Sequence, residues 1–134
     1  MSAAEATTGL QIIKELEDHL TVTTNGQKML QILRNLVLNA KQACKASSQK
    51  EKRMVIRAAK AGERVRLQVI DNGVGILPEN LPRIFTQGFT TKKNGRGFGL
   101  HSSLRLAQGL GGSLLVHSTG PGGGATFTLE LPEG

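Results

Sequence analysis

The sequence IDNGVGILPENLPRIFTQGFTTKKNGRGFGL, from Ile70 to Leu100, is the stretch around which the rest of the chain is organised. The residues from Arg64 to Val69 alternate between polar and apolar side chains, which predicts a β-strand leading into it. Continuing the same alternation places Asp71 on the apolar, inward side of that strand. Because a carboxylate inside a core needs a partner, Asp71 is a candidate binding residue.

Glycines are concentrated near both ends of the stretch from Ile70 to Leu100. Gly73 and Gly75 flank Val74 and remove side chains beside the acid, which allows another group to approach closely. At the far end Gly95, Gly97 and Gly99 precede a predicted helix, Leu100 to Leu110. The free N–H groups and the dipole at the start of a helix favour an anion such as phosphate.

A buried acid at one end and a phosphate site at the other match the two ends of a nucleotide. Asp71 would accept a hydrogen bond from an exocyclic amine, which selects adenine, because guanine presents a carbonyl oxygen at the equivalent position. The alternative is structural, since Asp-Asn-Gly alone more often marks a hairpin turn than a ligand site.

The composition fits one globular domain, with 134 residues and 38% hydrophobic content. The formal charge of +7 raises the possibility of nucleic-acid binding, but the cations are spread along the chain, and four Phe without Trp or Tyr give few platforms for base stacking. We therefore expect no nucleic-acid partner and regard a nucleic-acid binder as a minor alternative.

No apolar run has the length of a membrane span, and the N-terminus lacks the apolar region of a signal peptide. The single cysteine, Cys44, lies in a helical apolar pattern and is predicted to be a small core residue. These features predict a cytoplasmic domain that makes no membrane contact itself, although a parent protein could be membrane-anchored.

The remaining elements predict an α+β fold. Residues 1–9 are expected to be a disordered leader or linker remnant, and residues 10–134 the domain. The predicted elements are an edge strand rather than a short helix at Leu10–Leu16, a short strand at Leu20–Thr23, a helix at Gln27–Ala46 with Asn25 as N-cap, and strands at Arg53–Lys60, Arg64–Asp71, Ser113–Ser118 and Ala125–Leu131. We predict a two-layer α/β sandwich, with helices on one face of a mixed, mostly antiparallel sheet. Residues 77–94 are predicted to form a mobile lid over the pocket.

Asn35 and Asn39 lie one turn apart in the long helix and share a face at the edge of its apolar stripe. An isolated helical Asn most often caps a neighbouring loop. A side-chain carbonyl oxygen on a rigid helix is also a suitable ligand for Mg²⁺, which takes few protein ligands.

Four motifs now stand in a fixed order: NLVLNA at residues 35–40, DNGVGI at 71–76, GFTTKKNGRGFGL at 88–100 and GPGGGATFTLELP at 120–132. Together they resemble the N box, G1 box, F and G2 boxes and final glycine box of the GHKL superfamily, specifically the catalytic ATP-binding domain of sensor histidine kinases. The resemblance extends from Leu10 to Pro132 and implies a Bergerat-type fold with an ATP lid.

The resemblance also implies the roles of particular residues. Asn39 matches the Mg²⁺-binding asparagine, Asn35 lies near the phosphates, and Lys92 would meet the terminal phosphate; these three are the predicted catalytic residues. The implied nucleotide contacts are Asn39, Ala43, Asp71, Gly73, Gly75, Ile76, Phe89, Thr90, Thr91, Lys92, Gly95, Arg96, Gly97, Phe98, Gly99, Leu100 and Thr126, the last as a hydroxyl near Asp71.

Two departures refine the expected function. Related ATP hydrolases carry a glutamate base where this chain has Asn35, and an amide cannot act as a base at neutral pH, so rapid hydrolysis is not expected. The three histidines, His19, His101 and His117, lack the context of a phosphoacceptor. The implied partner is therefore a separate helical dimerisation domain that carries the acceptor histidine, with a response regulator acting indirectly.

The resemblance leaves two further alternatives open. An anti-sigma-factor-type serine kinase would share the fold and transfer phosphate to a serine, although it usually has an acidic residue at the position of Asn35. A non-catalytic module would bind ATP only to switch its protein contacts.

Overall fold

The computed structural model describes residues 9–20, 22, 25–86 and 99–132, and within them the elements follow the predicted order. They are β1 (Leu10–Leu16), α1 (Gly26–Lys45), β2 (Lys52–Ala61), β3 (Arg64–Asp71), a 3-10 helix (Leu81–Arg83), α2 (Leu100–Gly109), β4 (Ser113–His117) and β5 (Ala125–Pro132).

The strands form one mixed sheet of five strands in the order β1-β2-β3-β5-β4. β1 runs parallel to β2, and the other neighbouring pairs are antiparallel. β1 is an edge strand, as predicted. The register aligns Ile12, Met54, Asp71 and Ala125 in one row across the sheet. Asp71 thus lies in a row whose other members are apolar, which is why its carboxylate is costly to bury.

Helix α1 forms because its apolar residues recur at helical spacing and its first turn is capped. The side chain of Asn25 accepts a hydrogen bond of 3.1 Å from the backbone N–H of Lys28, which confirms the predicted N-cap. The buried residues of α1 are spaced four positions apart and form one inward stripe: Ile32, Leu36, Ala40 and Cys44. The helix begins one residue earlier than predicted, at Gly26, and ends at Lys45.

The core lies between the helices and one face of the sheet. The buried strand residues Met54, Val69, Phe127, Leu129 and Leu131 belong to the same cluster as the buried stripe of α1 and Ala107 of α2. In β5 the alternate residues Ala125, Phe127, Leu129 and Leu131 are buried. Cys44 belongs to this core at 1% exposure, as predicted.

The opposite face of the sheet carries charged pairs instead of helices. Arg57 contacts Glu15 at 2.7 Å and Arg66 contacts Glu130 at 2.8 Å. Exposed pairs of this kind stabilise a fold by at most about 1 kcal/mol each, so the core side decides the architecture. The result is the predicted α+β two-layer sandwich.

The loop predicted to be a lid from residue 77 onward differs from that prediction in its first part. Ile84 is buried at 5% exposure, and the rings of Phe85 and Phe127 meet edge to face with centroids 6.3 Å apart. Ile84 and Phe85 are therefore packed on the core, because these apolar side chains need burial, whereas Leu77 remains 43% exposed. Residues 87–94 lie outside the described part of the chain, as do residues 21 and 23 of the predicted second strand and residues 1–8 of the predicted leader.

Within the described residues, neither helix has the length and apolar character needed to cross a membrane.

Candidate functional site

Asp71 is the last residue of β3 and points into the core, as the alternation of the strand predicts. Its exposure is 6%, and one carboxylate oxygen accepts a hydrogen bond of 2.8 Å from the backbone N–H of Gly73. Burial raises the pKa of Asp71 to about 6, and the backbone N–H groups of Gly73 and Ala125 oppose that rise. An acid held in this way gains free energy from any ligand that donates a hydrogen bond to it.

The Asp-Asn-Gly sequence is not a hairpin turn, because β3 continues into a segment that leaves the sheet. Asn72 anchors this exit: its side-chain oxygen accepts from the backbone N–H of Arg53 at 2.7 Å, and its nitrogen donates to the carbonyl of Glu51 at 2.8 Å. These bonds fix the backbone directly after Asp71. Asn72 was not predicted as a site residue, since the side chain of an Asn in DNG ordinarily signals only a turn.

Gly73 allows the segment after Asp71 to lie against helix α1. The backbone N–H of Val74 donates to the carbonyl of Ala43 at 3.2 Å. A Cβ atom at Gly73 would lie 2.5 Å from the carbonyl carbon of Ala43, a distance that real Cβ atoms do not adopt. Ala43 and Gly73, both among the nucleotide contacts implied by the family resemblance, therefore meet beside Asp71.

Gly75 and Ile76 pack against the last glycine-rich turn. Gly75 has a positive φ of 77°, and a Cβ there would collide with the carbonyl of Gly120. The backbone N–H of Gly122 donates to the carbonyl of Val74 at 2.7 Å. The final glycine motif thus packs directly against the segment that follows Asp71.

Ser118 joins these two segments and was not predicted as a site residue. Its hydroxyl accepts hydrogen bonds from the backbone N–H groups of Ile76 at 3.0 Å and Gly120 at 3.3 Å, and it donates to the carbonyl of Gly124 at 2.7 Å. In the sequence Ser118 is merely the polar end of a strand, so its role depends on a contact 42 positions away.

Of the two asparagines of α1, Asn35 contacts the first turn of α2 and Asn39 is bonded to Asn35. The Asn39 side-chain nitrogen donates to the backbone carbonyl of Asn35 at 2.8 Å, and the Asn35 side-chain nitrogen donates to the hydroxyl of Ser103 at 3.0 Å. Both asparagines are half-buried. Since the nitrogen of Asn39 is turned toward the helix backbone, its side-chain oxygen is the atom of the amide suited to a hard cation.

The residues fit Mg²⁺ on these grounds. Among the described residues, no group of three or more His, Cys, Asp or Glu side chains could hold a metal ion. Mg²⁺ commonly uses one or two protein ligands together with water and phosphate oxygens. A single amide oxygen at Asn39 is compatible with that kind of site.

The predicted phosphate end reaches the same region through Gly99 and Leu100. Gly99 precedes α2 with a positive φ of 60°, and a Cβ there would lie 2.7 Å from the Asn35 side-chain nitrogen. The fold therefore brings the start of α2 against Asn35 of α1. His101, in the first turn of α2, is half-buried.

Several predicted contacts fall outside the described residues. They are Phe89, Thr90, Thr91, Lys92, Gly95, Arg96, Gly97 and Phe98, and their roles stay predictions.

Thr126 does not lie where the resemblance implied. In the β3–β5 register Asp71 is opposite Ala125, while Thr126 is opposite Ile70. Ala125 is buried and Thr126 is half-buried on the other face of the sheet. Because side chains of successive strand residues point to opposite faces, the Thr126 hydroxyl does not face the Asp71 carboxylate, and the implied contact is wrong.

A separate groove of about 350 Å³ lies between α1 and α2, away from Asp71. It is lined by Lys28, Gln31, Ser102, Arg105, Leu106 and Gly109. None of these residues takes part in the site built around Asp71 and Asn39, so the groove is not the candidate nucleotide site.

Comparison with known sequences agrees with this geometry. The sequence profile of the family described as histidine kinase-, DNA gyrase B- and HSP90-like ATPase matches residues 24–134. Sensor histidine kinase ZraS of Escherichia coli (strain K12) is 37% identical over 111 residues, which are 83% of this chain and 23% of that protein. Sensor protein CitS of Halalkalibacterium halodurans is 35% identical over 122 residues, which are 90% of this chain and 21% of that protein. The chain thus spans less than a quarter of the length of these relatives.

Solved structures show the same architecture. A nucleotide-free structure of the catalytic domain of histidine kinase ThkA has a TM-score of 0.83 at 25% identity, covering 97% of this chain and 83% of that one. Full-length ShkA in complex with AMPPNP has a TM-score of 0.79 at 28% identity, covering 99% of this chain and 27% of that one. The described sheet order, the position of the buried acid and these matches lead to one conclusion: the chain belongs to the histidine kinase-, DNA gyrase B- and HSP90-like ATPase family, with the fold of a histidine kinase catalytic domain.

Proposed function

We propose that this domain binds Mg²⁺-ATP and donates its terminal phosphate to a histidine on a separate helical dimerisation domain of a sensor kinase. The observation that carries the proposal is the buried Asp71 carboxylate at the end of β3, whose pKa burial raises to about 6. Burial of this acid costs free energy that the backbone N–H groups of Gly73 and Ala125 offset only in part, so its presence is best explained by a ligand that donates to it.

The exocyclic amine of adenine is that donor. Gly73 and Gly75 allow the segment after Asp71 to pack closely on Ala43 and Gly120, and these contacts hold the backbone beside the acid in place. Guanine has a carbonyl oxygen where adenine has its amine, and an oxygen facing a carboxylate is repelled. We therefore expect ATP to be preferred over GTP by a large factor.

The phosphates lie toward Gly99 and the asparagines of α1. Asn39 would hold Mg²⁺ through its side-chain oxygen, while Lys92 and the amides of the glycine loop would contact the phosphates. When bound, Mg²⁺ supplies positive charge that neutralises the phosphate oxygens during transfer. The protein residues orient the phosphates and exclude water, which is most of what phosphoryl transfer requires.

In the transfer step, a ring nitrogen of the acceptor histidine attacks the terminal phosphorus. The new P–N bond forms as the bond from phosphorus to the bridging oxygen breaks, and ADP leaves with that electron pair. Asn35 cannot deprotonate water, so the acceptor histidine does not compete with rapid hydrolysis. Because ATP is the phosphate donor, we place the domain in the cytoplasm, with a response regulator acting downstream of the phosphohistidine.

The test is direct binding of ATP and GTP to the wild type and to Asp71→Asn, followed by transfer from labelled ATP to a helical dimerisation domain of a sensor kinase added in trans. We expect ATP binding in the wild type, its loss in Asp71→Asn, and acid-labile label on the acceptor. Equal ATP affinities of the two proteins would exclude the proposed adenine contact. ATP binding that depends on Asp71 without transfer to a cognate acceptor would favour a nucleotide-switched interaction module instead.

A further inference from the structure

Ser103 is a polar residue where helix α2 would be expected to bury an apolar one. Among the described residues, the buried polar or charged side chains are Asp71 at 6% and Ser103 at 0% exposure. Ser103 and Ala107 form the buried stripe of α2, one turn apart. A hydroxyl in such a stripe needs a hydrogen-bond partner that justifies its burial.

The partner is the side chain of Asn35, on the other helix. The Asn35 nitrogen donates to the Ser103 hydroxyl at 3.0 Å across a separation of 68 residues. This bond ties α1 to the first turn of α2 inside the protein, where water competes poorly with it.

The same Asn35 side chain lies against Gly99, the residue that precedes α2. The backbone N–H of Ser103 donates to the carbonyl of Gly99 at 2.7 Å, and a Cβ on Gly99 would lie 2.7 Å from the Asn35 nitrogen. The amide of Asn35 is therefore held between the start of α2 and its first turn. It fixes where the N-terminus of α2 lies relative to α1.

Asn39 is linked to the same point. Its side-chain nitrogen donates to the backbone carbonyl of Asn35 at 2.8 Å. Asn35 thus contacts both Gly99, the residue that precedes α2, and Asn39, the candidate Mg²⁺ ligand.

We propose that Ser103 is a positioning residue for the triphosphate: its hydroxyl fixes the Asn35 amide and thereby the separation between Gly99 and Asn39. The inference rests on the proposed binding of Mg²⁺-ATP. Ser103 makes no contact with the nucleotide and acts through Asn35. Its effect should therefore fall on the phosphate end of the ligand and leave the adenine end unchanged.

The experiment compares three ligands, adenosine, ATP without Mg²⁺ and ATP with Mg²⁺, on the full chain. Ser103→Ala removes the hydroxyl with almost no change in volume and keeps a strong helix former. Ser102→Ala is the matched control, because Ser102 is the exposed neighbour on the same helix. We expect Ser103→Ala to weaken Mg²⁺-ATP about three- to tenfold, as loss of one buried hydrogen bond does, with unchanged adenosine affinity and an unchanged Ser102→Ala control.

A double-mutant cycle separates positioning from a general loss of stability. If Ser103 acts through Asn35, its replacement has no further effect on Mg²⁺-ATP affinity in an Asn35→Ala background. An equal loss for adenosine and Mg²⁺-ATP, an unaltered Mg²⁺-ATP affinity in Ser103→Ala, or an undiminished effect in the Asn35→Ala background would overturn the inference. A wild type that binds neither adenosine nor Mg²⁺-ATP would instead refute the proposed function.

Discussion

Ala125 lies directly opposite Asp71 on the neighbouring strand, and its side chain shares the buried face of the sheet with the Asp71 carboxylate. Opposed residues in an antiparallel pair have Cβ atoms about 5 Å apart. A methyl group therefore stands where a hydroxyl could donate to the acid. The carboxylate is stabilised by the backbone N–H groups of Gly73 and Ala125.

A hydroxyl introduced at this position should lower the pKa of Asp71. In Ala125→Ser the new side chain can donate to the carboxylate, and hydrogen bonding to the charged form lowers the pKa by about one unit. The measurement is an NMR titration of the Asp71 carboxyl group. Thr126→Val is the control, because Thr126 lies on the other face. A shift in Thr126→Val of the same size as that in Ala125→Ser would contradict the register.

The free energy of unfolding of the ligand-free protein should depend on pH through the titration of Asp71. Burial raises its pKa from 3.8 to about 6, so between these values the folded state binds more protons than the unfolded state. The free energy of unfolding of the wild type should therefore fall, relative to that of Asp71→Asn, as pH rises from about 4 to about 6. The difference amounts to at most about 3 kcal/mol.

Urea unfolding of both proteins at pH 4.5 and pH 7.5 measures this difference, and contributions from other groups cancel. A wild type that gains stability relative to Asp71→Asn with rising pH would show that the carboxylate is not desolvated.

A methyl group at Gly73 should disrupt the contact with Ala43 beside Asp71. The Cβ of Gly73→Ala would lie 2.5 Å from the carbonyl carbon of Ala43. This clash can be relieved only if the backbone at residue 73 moves away from helix α1. We expect destabilisation of about 2 kcal/mol and loss of ATP binding. Gly109→Ala is the matched control, since its added Cβ meets nothing within 4 Å. Calorimetry and ATP titration of both variants provide the test. An ATP affinity in Gly73→Ala equal to that of the wild type would show that the contact with Ala43 is not needed.

Removal of the Ser118 hydroxyl should loosen the packing of the last glycine turn against the segment that follows Asp71. Ser118→Ala leaves the N–H of Ile76 and the carbonyl of Gly124 without this partner, and each such loss destabilises a fold by about 1 kcal/mol. Hydrogen exchange of the Ile76 amide should accelerate, and ATP affinity should fall. If that amide exchanges at the wild-type rate while global stability is unchanged, the Ser118 hydroxyl does not hold Ile76 in place. Ser102→Ala, at an exposed site, should change neither quantity.

The local pattern of the sequence was sufficient for the elements and for the direction of Asp71. The alternation from Arg64 to Val69 has a period of two residues, so it determines which side chains face the core once the strand forms. The spacing of Ile32, Leu36, Ala40 and Cys44 determines in the same way which face of α1 is buried. These properties depend on neighbours within a few residues, and the structure confirmed them.

What the sequence alone determined is therefore the set of elements, their faces and the inward acid; what only the tertiary structure decided is which residues meet. Local periodicity does not predict that Asp71 pairs with Ala125 rather than Thr126. It also does not predict the bonds of Ser118 to Ile76 and of Ser103 to Asn35, because strand register and helix contacts are set by packing of the whole core. Residues 68 positions apart come together only when the apolar faces of α1, α2 and the sheet are buried against one another.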